Sequence, residues 1–178
     1  MRWRFAAFEL DPAVPEAGVG FAEYLEGRYG PGVLDGMAGR LAEAAAKDGL
    51  PLADVRDLTR RPNTFAAHRL LTAALEAGEP AQQALADALL TAYWARGEDI
   101  GAPSVLEELA VAAGMPAGWA AAALGDERLA AAVRAEERRA SELGVHAVPT
   151  FVVAGRFAVA GAQPPDVLAG AVRRALAG

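Results

Sequence analysis

Residue types limit the chemistry that this sequence can support. The 178 residues contain no cysteine and two histidines, His68 and His146. Without cysteine these residues form no disulfide, hold no metal through thiolates and provide no thiol nucleophile. Two histidines cannot form a histidine-rich metal site by themselves. We therefore predict no metal, no cofactor and no catalytic residue within these 178 residues.

The most informative stretch begins at Gly144 and reads GVHAVPTFVV. A long polar helix is predicted to end at Gly144, since glycine is favoured where helices stop. A Val-Pro pair follows, and the β-branched run after it predicts a strand over 150–154. A second strand is predicted over 157–160, with the turn at Gly155. An amphipathic helix with Pro165 in its first turn closes the chain.

The other elements must position that stretch. Apolar residues recur through 2–10, which predicts a strand. Over 31–143 the pattern predicts helices only, with apolar residues three and four positions apart. Three helix starts carry capping signals: Asn63 or Thr64 can cap one helix, Ser104 with Glu107 fits a capping box, and Asp126 can cap a later helix. Apolar residues that recur at helical spacing include Leu34, Met37, Leu41, Leu71, Leu75, Leu85, Leu89, Tyr93, Leu106, Leu109, Leu129 and Val133.

Composition and charge exclude several function classes. The net charge is −6, and no basic stripe is present, so nucleic acid is not an expected partner. No signal peptide is evident at the N-terminus. The longest uncharged run, 109–125, contains Pro116 and is mostly alanine, so we expect two helices joined by a turn there instead of a membrane span. These features favour a cytoplasmic protein.

Five groups of residues carry the pattern of a known family. They are Trp3-Arg4 with Phe8-Glu9-Leu10-Asp11-Pro12; Arg61-Pro62-Asn63-Thr64 with Ala67-His68-Arg69-Leu70; Ala92-Tyr93-Trp94 with Gly97-Glu98-Asp99-Ile100; Leu143-Gly144-Val145 with Val148-Pro149-Thr150-Phe151; and Gly155-Arg156 with Val159-Ala160-Gly161-Ala162-Gln163. They span nearly the whole chain, and together they resemble the DsbA-like family of thioredoxin-fold proteins. Within that family the sequence is most similar to the cytoplasmic branch of disulfide oxidoreductases that is often called FrnE-like.

The resemblance implies a mostly helical α/β protein with a thioredoxin-like fold. It implies one domain over 1–178, in which a large helical insertion over 31–143 separates a strand over 1–12 from a hairpin and helix over 145–178. It also implies an N-terminally truncated fold, because the family's first strand (the central one), its Cys-x-x-Cys and its first helix are missing. We expect, on this basis, that Met1 is not the natural start.

The resemblance also implies a site. In the family the Val-Pro bond is cis, and the residue before the proline offers backbone hydrogen bonds to a bound peptide or disulfide. By resemblance Val148, Pro149 and Thr150 bind substrate. His68 is either a satisfied core histidine or a residue that lines the redox groove. His146 is either an exposed loop residue or a contact to the bound ligand.

The implied activity is thiol–disulfide exchange on protein or small-molecule disulfides. We expect the chain as written to be redox-inactive, because the Cys-x-x-Cys segment is absent. One alternative is a relative of 2-hydroxychromene-2-carboxylate isomerases and kappa-class glutathione transferases, in which a serine activates glutathione. Another is a non-catalytic module that holds extended peptide beside Val148 and Pro149 by strand addition. A homodimer through an open sheet edge is a further expectation.

Overall fold

The structure is a computed structural model that describes residues 3–155 and 157–177. The described residues form eight helices and four short strands, which confirms the predicted mostly helical α/β class. Three sequence-based predictions lie outside the described residues. The first is that Met1 is not the natural start. The second is that the first predicted strand begins at Arg2, and the third is the place of Arg156 in the Gly155-Arg156 motif.

The helices account for most of the described chain. They are α1 (Phe21–Tyr29), α2 (Val33–Asp48), α3 (Phe65–Ala77), α4 (Glu79–Arg96), α5 (Pro103–Ala112), α6 (Trp119–Gly125), α7 (Glu127–Glu142) and α8 (Pro165–Ala177), with a short 3₁₀ helix at Val55–Asp57. The strands are β1 (Val19–Gly20), β2 (Arg60–Arg61), β3 (Thr150–Val153) and β4 (Phe157–Ala160). β1 pairs antiparallel with β2, and β3 pairs antiparallel with β4.

The chain divides into two compact units, with the boundary between Arg134 and Ala135. The first unit holds β1, β2 and the helices α1 to α6, and the second holds the β3–β4 hairpin and α8. β1 and β2 have two residues each, too few for a periodic pattern to predict them from sequence. The predicted single domain with its insertion over 31–143 stays a prediction.

The core of the first unit consists of helices packed on one another. α3 packs against α4 and α6, and α4 packs against α5. The buried residues of this cluster, in the part of the chain that the structure describes, are all alanine or leucine. Short side chains at such contacts allow small interaxial distances. The apolar residues predicted for α4 are buried, Leu85 and Leu89 in this cluster and Tyr93 in a second one, so that prediction is confirmed.

Of the helix caps predicted at Asp126 and at Ser104, the first is confirmed and the second is wrong. Asp126 caps α7, and its carboxylate accepts a hydrogen bond from the Arg128 amide at 2.8 Å. The predicted capping box of Ser104 and Glu107 does not form, because α5 already begins at Pro103 and has no side-chain cap. The Glu107 carboxylate instead accepts hydrogen bonds from the amides of Gly118 and Ala121 at the start of α6. A glutamate carboxylate can accept hydrogen bonds from the free amides of any helix start within its reach, and Glu107 bonds those at the start of the next helix, α6.

The predicted strand over 2–10 is wrong for its described residues, 3–10, which form no strand. A strand needs a neighbour that pairs with it along its length, and no described strand pairs with this segment. At Phe5 the Gln82 carboxamide bonds the backbone groups that a neighbouring strand would otherwise bond. It accepts a hydrogen bond from the Phe5 amide and donates one to the Phe5 carbonyl, both at 2.9 Å. It also donates to the Leu71 carbonyl of α3 at 3.1 Å, and the residue is 1% exposed.

A buried ion pair holds the same segment further along. The side chain of Glu9 is 2% exposed, and its carboxylate pairs with the guanidinium of Arg134 in α7. The guanidinium carbon of Arg134 also lies 3.9 Å from the centre of the Phe65 ring. Because an unpaired buried carboxylate is costly, this pair fixes where the segment meets the helices.

Asp11 fixes the loop that follows the segment. Its carboxylate accepts hydrogen bonds from the Tyr24 hydroxyl at 2.5 Å and from the Ala13 amide at 3.1 Å. These two bonds are the main reason that the pKa of Asp11 lies below its ordinary value. The guanidinium of Arg61 covers the Tyr24 ring at 4.2 Å. The loop is therefore attached to α1 through Tyr24, whose ring in turn contacts Arg61 of β2.

Replacement of Gln82 by leucine tests the role of its carboxamide. We expect Gln82→Leu to lower the free energy of unfolding by about 2–4 kcal/mol, because the part-buried amide and carbonyl of Phe5 lose their partner and the Leu71 carbonyl loses one hydrogen bond. Urea denaturation followed by circular dichroism measures the change. Gln83→Leu is the matched control, since the Gln83 amide bonds the exposed Asp87 carboxylate at the surface of α4. Equal losses of stability in Gln82→Leu and Gln83→Leu would contradict the role assigned to the Gln82 carboxamide.

Replacement of Tyr24 by phenylalanine tests the Asp11 contact through pH. A carboxylate whose pKa is lowered on folding adds stability above its unfolded pKa and loses it as the pH falls through the folded pKa. The stability difference between the wild type and Tyr24→Phe should therefore be largest near neutral pH and shrink below about pH 4. Denaturant titrations at several pH values measure it. Tyr29→Phe, at an exposed tyrosine, should show no such trend.

Candidate functional site

The loop that leads into β3 carries most of the predicted site. The Val148–Pro149 peptide bond is cis. The Gly161 amide donates a hydrogen bond to the Pro149 carbonyl at 2.8 Å, and the Thr150 hydroxyl donates one to the Ala147 carbonyl at 2.7 Å. These two bonds fasten the loop to the far end of β4 and to the first residue of β3.

The predicted hairpin is confirmed, with one strand shorter than expected. In its register Thr150 lies opposite Ala160 and Val153 lies opposite Phe157. β3 ends at Val153 because Ala154 has a φ of 53°, in the left-handed region that ends a strand. Gly155, the predicted turn residue, follows with a φ of 67°. Glycine adopts this conformation without a steric cost.

The register decides which backbone groups of β3 are available. In an antiparallel ladder, residues that exchange hydrogen bonds with the partner strand alternate with residues whose N–H and C=O point away. The bond from Gly161 to Pro149 fixes this alternation, so Phe151 and Val153 bond to β4. Thr150 and Val152 therefore direct their N–H and C=O away from β4. No other described strand pairs with the side of β3 that faces away from β4. We call this side of the strand, at Thr150 and Val152, the open edge.

The segment over 143–155, which carries the open edge, is mostly apolar. Val148 is 49% exposed and Val152 is 45% exposed. No aspartate, glutamate, lysine or arginine occurs over 143–155. A ligand at this edge would meet outward backbone donors and acceptors beside apolar side chains. Such a surface suits another extended chain, since main-chain hydrogen bonds give affinity in strand addition.

The structure places four of the five predicted site residues on one short segment. Val148, Pro149 and Thr150 adjoin the open edge, and His146 is an exposed residue of the same loop. His68 lies in α3 of the first unit, where it is half-buried and its carbonyl accepts a hydrogen bond from the Thr72 hydroxyl at 2.9 Å. The two histidines thus belong to different compact units. The proposed contributions of both to ligand binding stay predictions.

Sequence reasoning missed the backbone groups at Thr150 and Val152. These two residues were recognised as a strand, but which of them point outward depends on the hairpin register. The loop length between the strands is the signal that could have found them, since it constrains the register. Ala154 and Gly155 belong to that loop, and 156 lies outside the described residues.

Other kinds of site are absent from the described residues. No group of histidine, cysteine, aspartate and glutamate there could hold a metal ion. No described helix is long and apolar enough to cross a bilayer. Two open cavities of about 700 and 530 Å³ lie in the first unit. Neither cavity is lined by any of the predicted site residues.

A comparison with protein families identifies the chain. The model of the DSBA-like thioredoxin domain matches residues 1–173. The chain belongs to this family. This match covers the first compact unit, continues to residue 173 of the second, and includes the whole segment that leads into β3. It confirms the family and the thioredoxin-like fold that the sequence motifs predicted.

A solved structure supports the same assignment. The DsbA-like chain is 36% identical to a probable DsbA oxidoreductase from Streptomyces coelicolor, with a TM-score of 0.85. The match covers 96% of this chain and 73% of that protein. No curated protein matches the chain significantly. The membership of the family is therefore secure, and the finer activity has to be argued from the site.

Replacement of Thr150 tests how the loop is held. Thr150→Val keeps the side-chain shape but removes the donor to the Ala147 carbonyl, while Thr150→Ser keeps the donor. Loss of one hydrogen bond costs about 1 kcal/mol, which corresponds to a roughly fivefold change in a local equilibrium. We expect the Gly161 amide, bonded to Pro149, to exchange its hydrogen roughly fivefold faster in Thr150→Val only. Unchanged exchange in both variants would show that the hydroxyl does not hold the loop.

Proposed function

We propose that these 178 residues form the substrate-binding part of a DsbA-type thiol–disulfide oxidoreductase. In this proposal Val148, Pro149 and Thr150 hold a polypeptide or small disulfide in an extended form along the open edge. The single observation that carries the proposal is the open edge itself, where Thr150 and Val152 direct unpaired backbone groups next to the Val148–Pro149 loop. Family membership and the similarity to a probable DsbA oxidoreductase support it.

Recognition through the main chain explains how such a site accepts many sequences. An added strand bonds to the backbone of β3, and its side chains contribute only at alternate positions. The exposed Val148 and Val152 offer apolar contacts at those positions. No charged side chain over 143–155 selects for a charged ligand. The site therefore suits unfolded or extended polypeptide better than a small charged metabolite.

The exchange chemistry itself needs a thiolate. Disulfides break when a thiolate attacks one of the two sulfur atoms, and the rate depends on that attacking group. These 178 residues contain no cysteine. We therefore propose that they bind substrate and do not by themselves exchange disulfides. An insulin-reduction assay with dithiothreitol should show the same rate with and without the protein.

A peptide-binding experiment tests the proposal. Val152→Pro removes an N–H that points away from β4, so it should weaken binding at the open edge and leave the hairpin ladder intact. The probe is a short fluorescein-labelled peptide without cysteine in which valine alternates with threonine. We expect its affinity to fall at least tenfold in Val152→Pro, as measured by fluorescence anisotropy, because a backbone bond and its neighbouring contact are lost.

The matched control is Ala158→Pro on β4. Ala158 lies opposite Val152, so its N–H also points away from the ladder, but at the other side of the hairpin. Peptide binding should survive this change and should be insensitive to thiol-blocking reagents. Equal loss in both variants, or no binding by the wild type, would overturn the proposal. Glutathione titrated in the same assay should not bind; saturable binding would favour the alternative of a glutathione-dependent isomerase or transferase.

A further inference from the structure

We propose that the smaller cavity of the first unit binds an amphiphile, a small molecule with one linear apolar chain and a cationic head group. The cavity has a volume of about 530 Å³ and lies between α2 and the segment over 50–56 that follows it. We call it the α2 groove. It contains none of the residues on which the proposed function depends, so the two can be tested separately.

The α2 groove follows one face of α2. The α2 residues that line it recur three or four positions apart, from Asp35 through Ala38 and Ala42 to Ala46. With a rise of 1.5 Å per residue, this face is roughly 16 Å long. All of α2 is described, and none of its residues is buried. A ligand chain in the groove would therefore cover helix surface that is now in contact with solvent.

The wall opposite α2 runs in the reverse direction, because the chain turns at Gly49, where φ is 67°. The Leu50 amide donates a hydrogen bond to the Ala45 carbonyl at 2.9 Å, which keeps Leu50 at the C-terminal end of α2. Arg56 lies at the other end, where its Nη1 atom is 3.7 Å from a carboxylate oxygen of Asp35. The groove thus has two different ends.

The lining is apolar except at the end that holds Arg56. All but three of the lining residues are alanine, glycine, leucine or valine, and the exceptions are Asp35, Asp54 and Arg56. Val55 is 1% exposed and belongs to a core cluster, so the groove reaches the core, whereas Leu50 is 62% exposed. Apolar walls with a few polar groups are typical of sites for small molecules.

The volume and the lining decide which kind of chain fits. A helix as long as the groove and 10 Å wide would occupy more than about 1,000 Å³, roughly twice the available volume. An extended peptide is thinner, but its N–H and C=O groups would face apolar walls without hydrogen-bond partners, which is costly. A linear hydrocarbon chain is thin and has no polar groups to satisfy.

The charged end selects the head group. The two carboxylate oxygens of Asp54 accept hydrogen bonds from the Nε atom of Arg56 at 2.9 and 3.1 Å, so Asp54 neutralises Arg56. Asp35 is 3.7 Å from Arg56, beyond hydrogen-bond distance, and its side chain is 79% exposed. A cationic head gains an ion pair with Asp35, whereas an anionic head is repelled by two carboxylates.

Isothermal titration calorimetry with n-decylammonium, kept below the concentration at which it forms micelles, tests the inference. We expect saturable binding at one site, about tenfold tighter than that of decanoate, which has the same number of carbon atoms and the opposite charge. Shortening the amine by two carbons should weaken binding several-fold, because each fully buried methylene contributes a factor of about four. Asp35→Asn should remove most of the preference for the amine.

Two glycines of α2 provide a matched pair of variants. A Cβ atom at Gly39 would meet no atom within 4 Å, so the side chain of Gly39→Leu can enter the groove and take the place of the ligand chain. Binding should fall at least tenfold. Gly36→Leu gains the same helix propensity but does not line the groove, so it should bind like the wild type. Circular dichroism checks that both variants are folded.

The outcomes are distinct from those of the peptide experiment. Absence of saturable binding, or equal affinity for decylammonium and decanoate, overturns the inference. Equal losses in Gly39→Leu and Gly36→Leu, or an unchanged preference in Asp35→Asn, overturn it as well. Val152→Pro should bind the amine like the wild type, so a failure of the proposed function leaves this result unaffected.

Discussion

Every buried backbone N–H and C=O needs a hydrogen-bond partner, and the arrangement of this chain follows from how that need is met. The segment over 3–10 pairs with no described strand, and Gln82 reaches across from α4 to bond both backbone groups of Phe5. Because Gln82 also bonds Leu71 of α3, one carboxamide joins three elements. Glu9 and Arg134 hold the same segment through charge. The β3 edge meets the need differently: it is exposed, and a ligand can supply the partner.

The helices could be predicted because their information is local. Leu85, Leu89 and Tyr93 repeat at helical spacing, and Asp126 stands where a cap is needed, so a short window of sequence suffices. The first strand could not be predicted correctly, because its alternation says nothing about whether a neighbour exists. Its actual partner, Gln82, lies 77 residues away from Phe5. Glu107 failed as a predicted cap for a similar reason, since it stabilises the start of a different helix.

The candidate site shows the same division between local and non-local information. The motif around Val148 and Pro149 identified the family and the loop, and four predicted residues lie together there. His68 was included by resemblance alone, and the structure places it in the other unit. What the motif could not show is which backbone groups point outward, because pairing with β4 decides that. A site made of main-chain groups leaves little trace in the identity of side chains, so its binding surface can persist while the sequence varies.

The alanine-rich core of the first unit has a thermal consequence. The heat capacity of unfolding grows with the apolar area that becomes exposed. Alanine contributes less of that area than leucine does, and the buried residues of the main cluster, within the described part of the chain, are alanine and leucine alone. The residues packed around this cluster should therefore contribute a heat capacity change per residue at or below the low end of the usual range, about 12 cal/mol/K. A small heat capacity change flattens the curve of stability against temperature, so this cluster favours nearly constant stability over a broad range and resistance to unfolding in the cold.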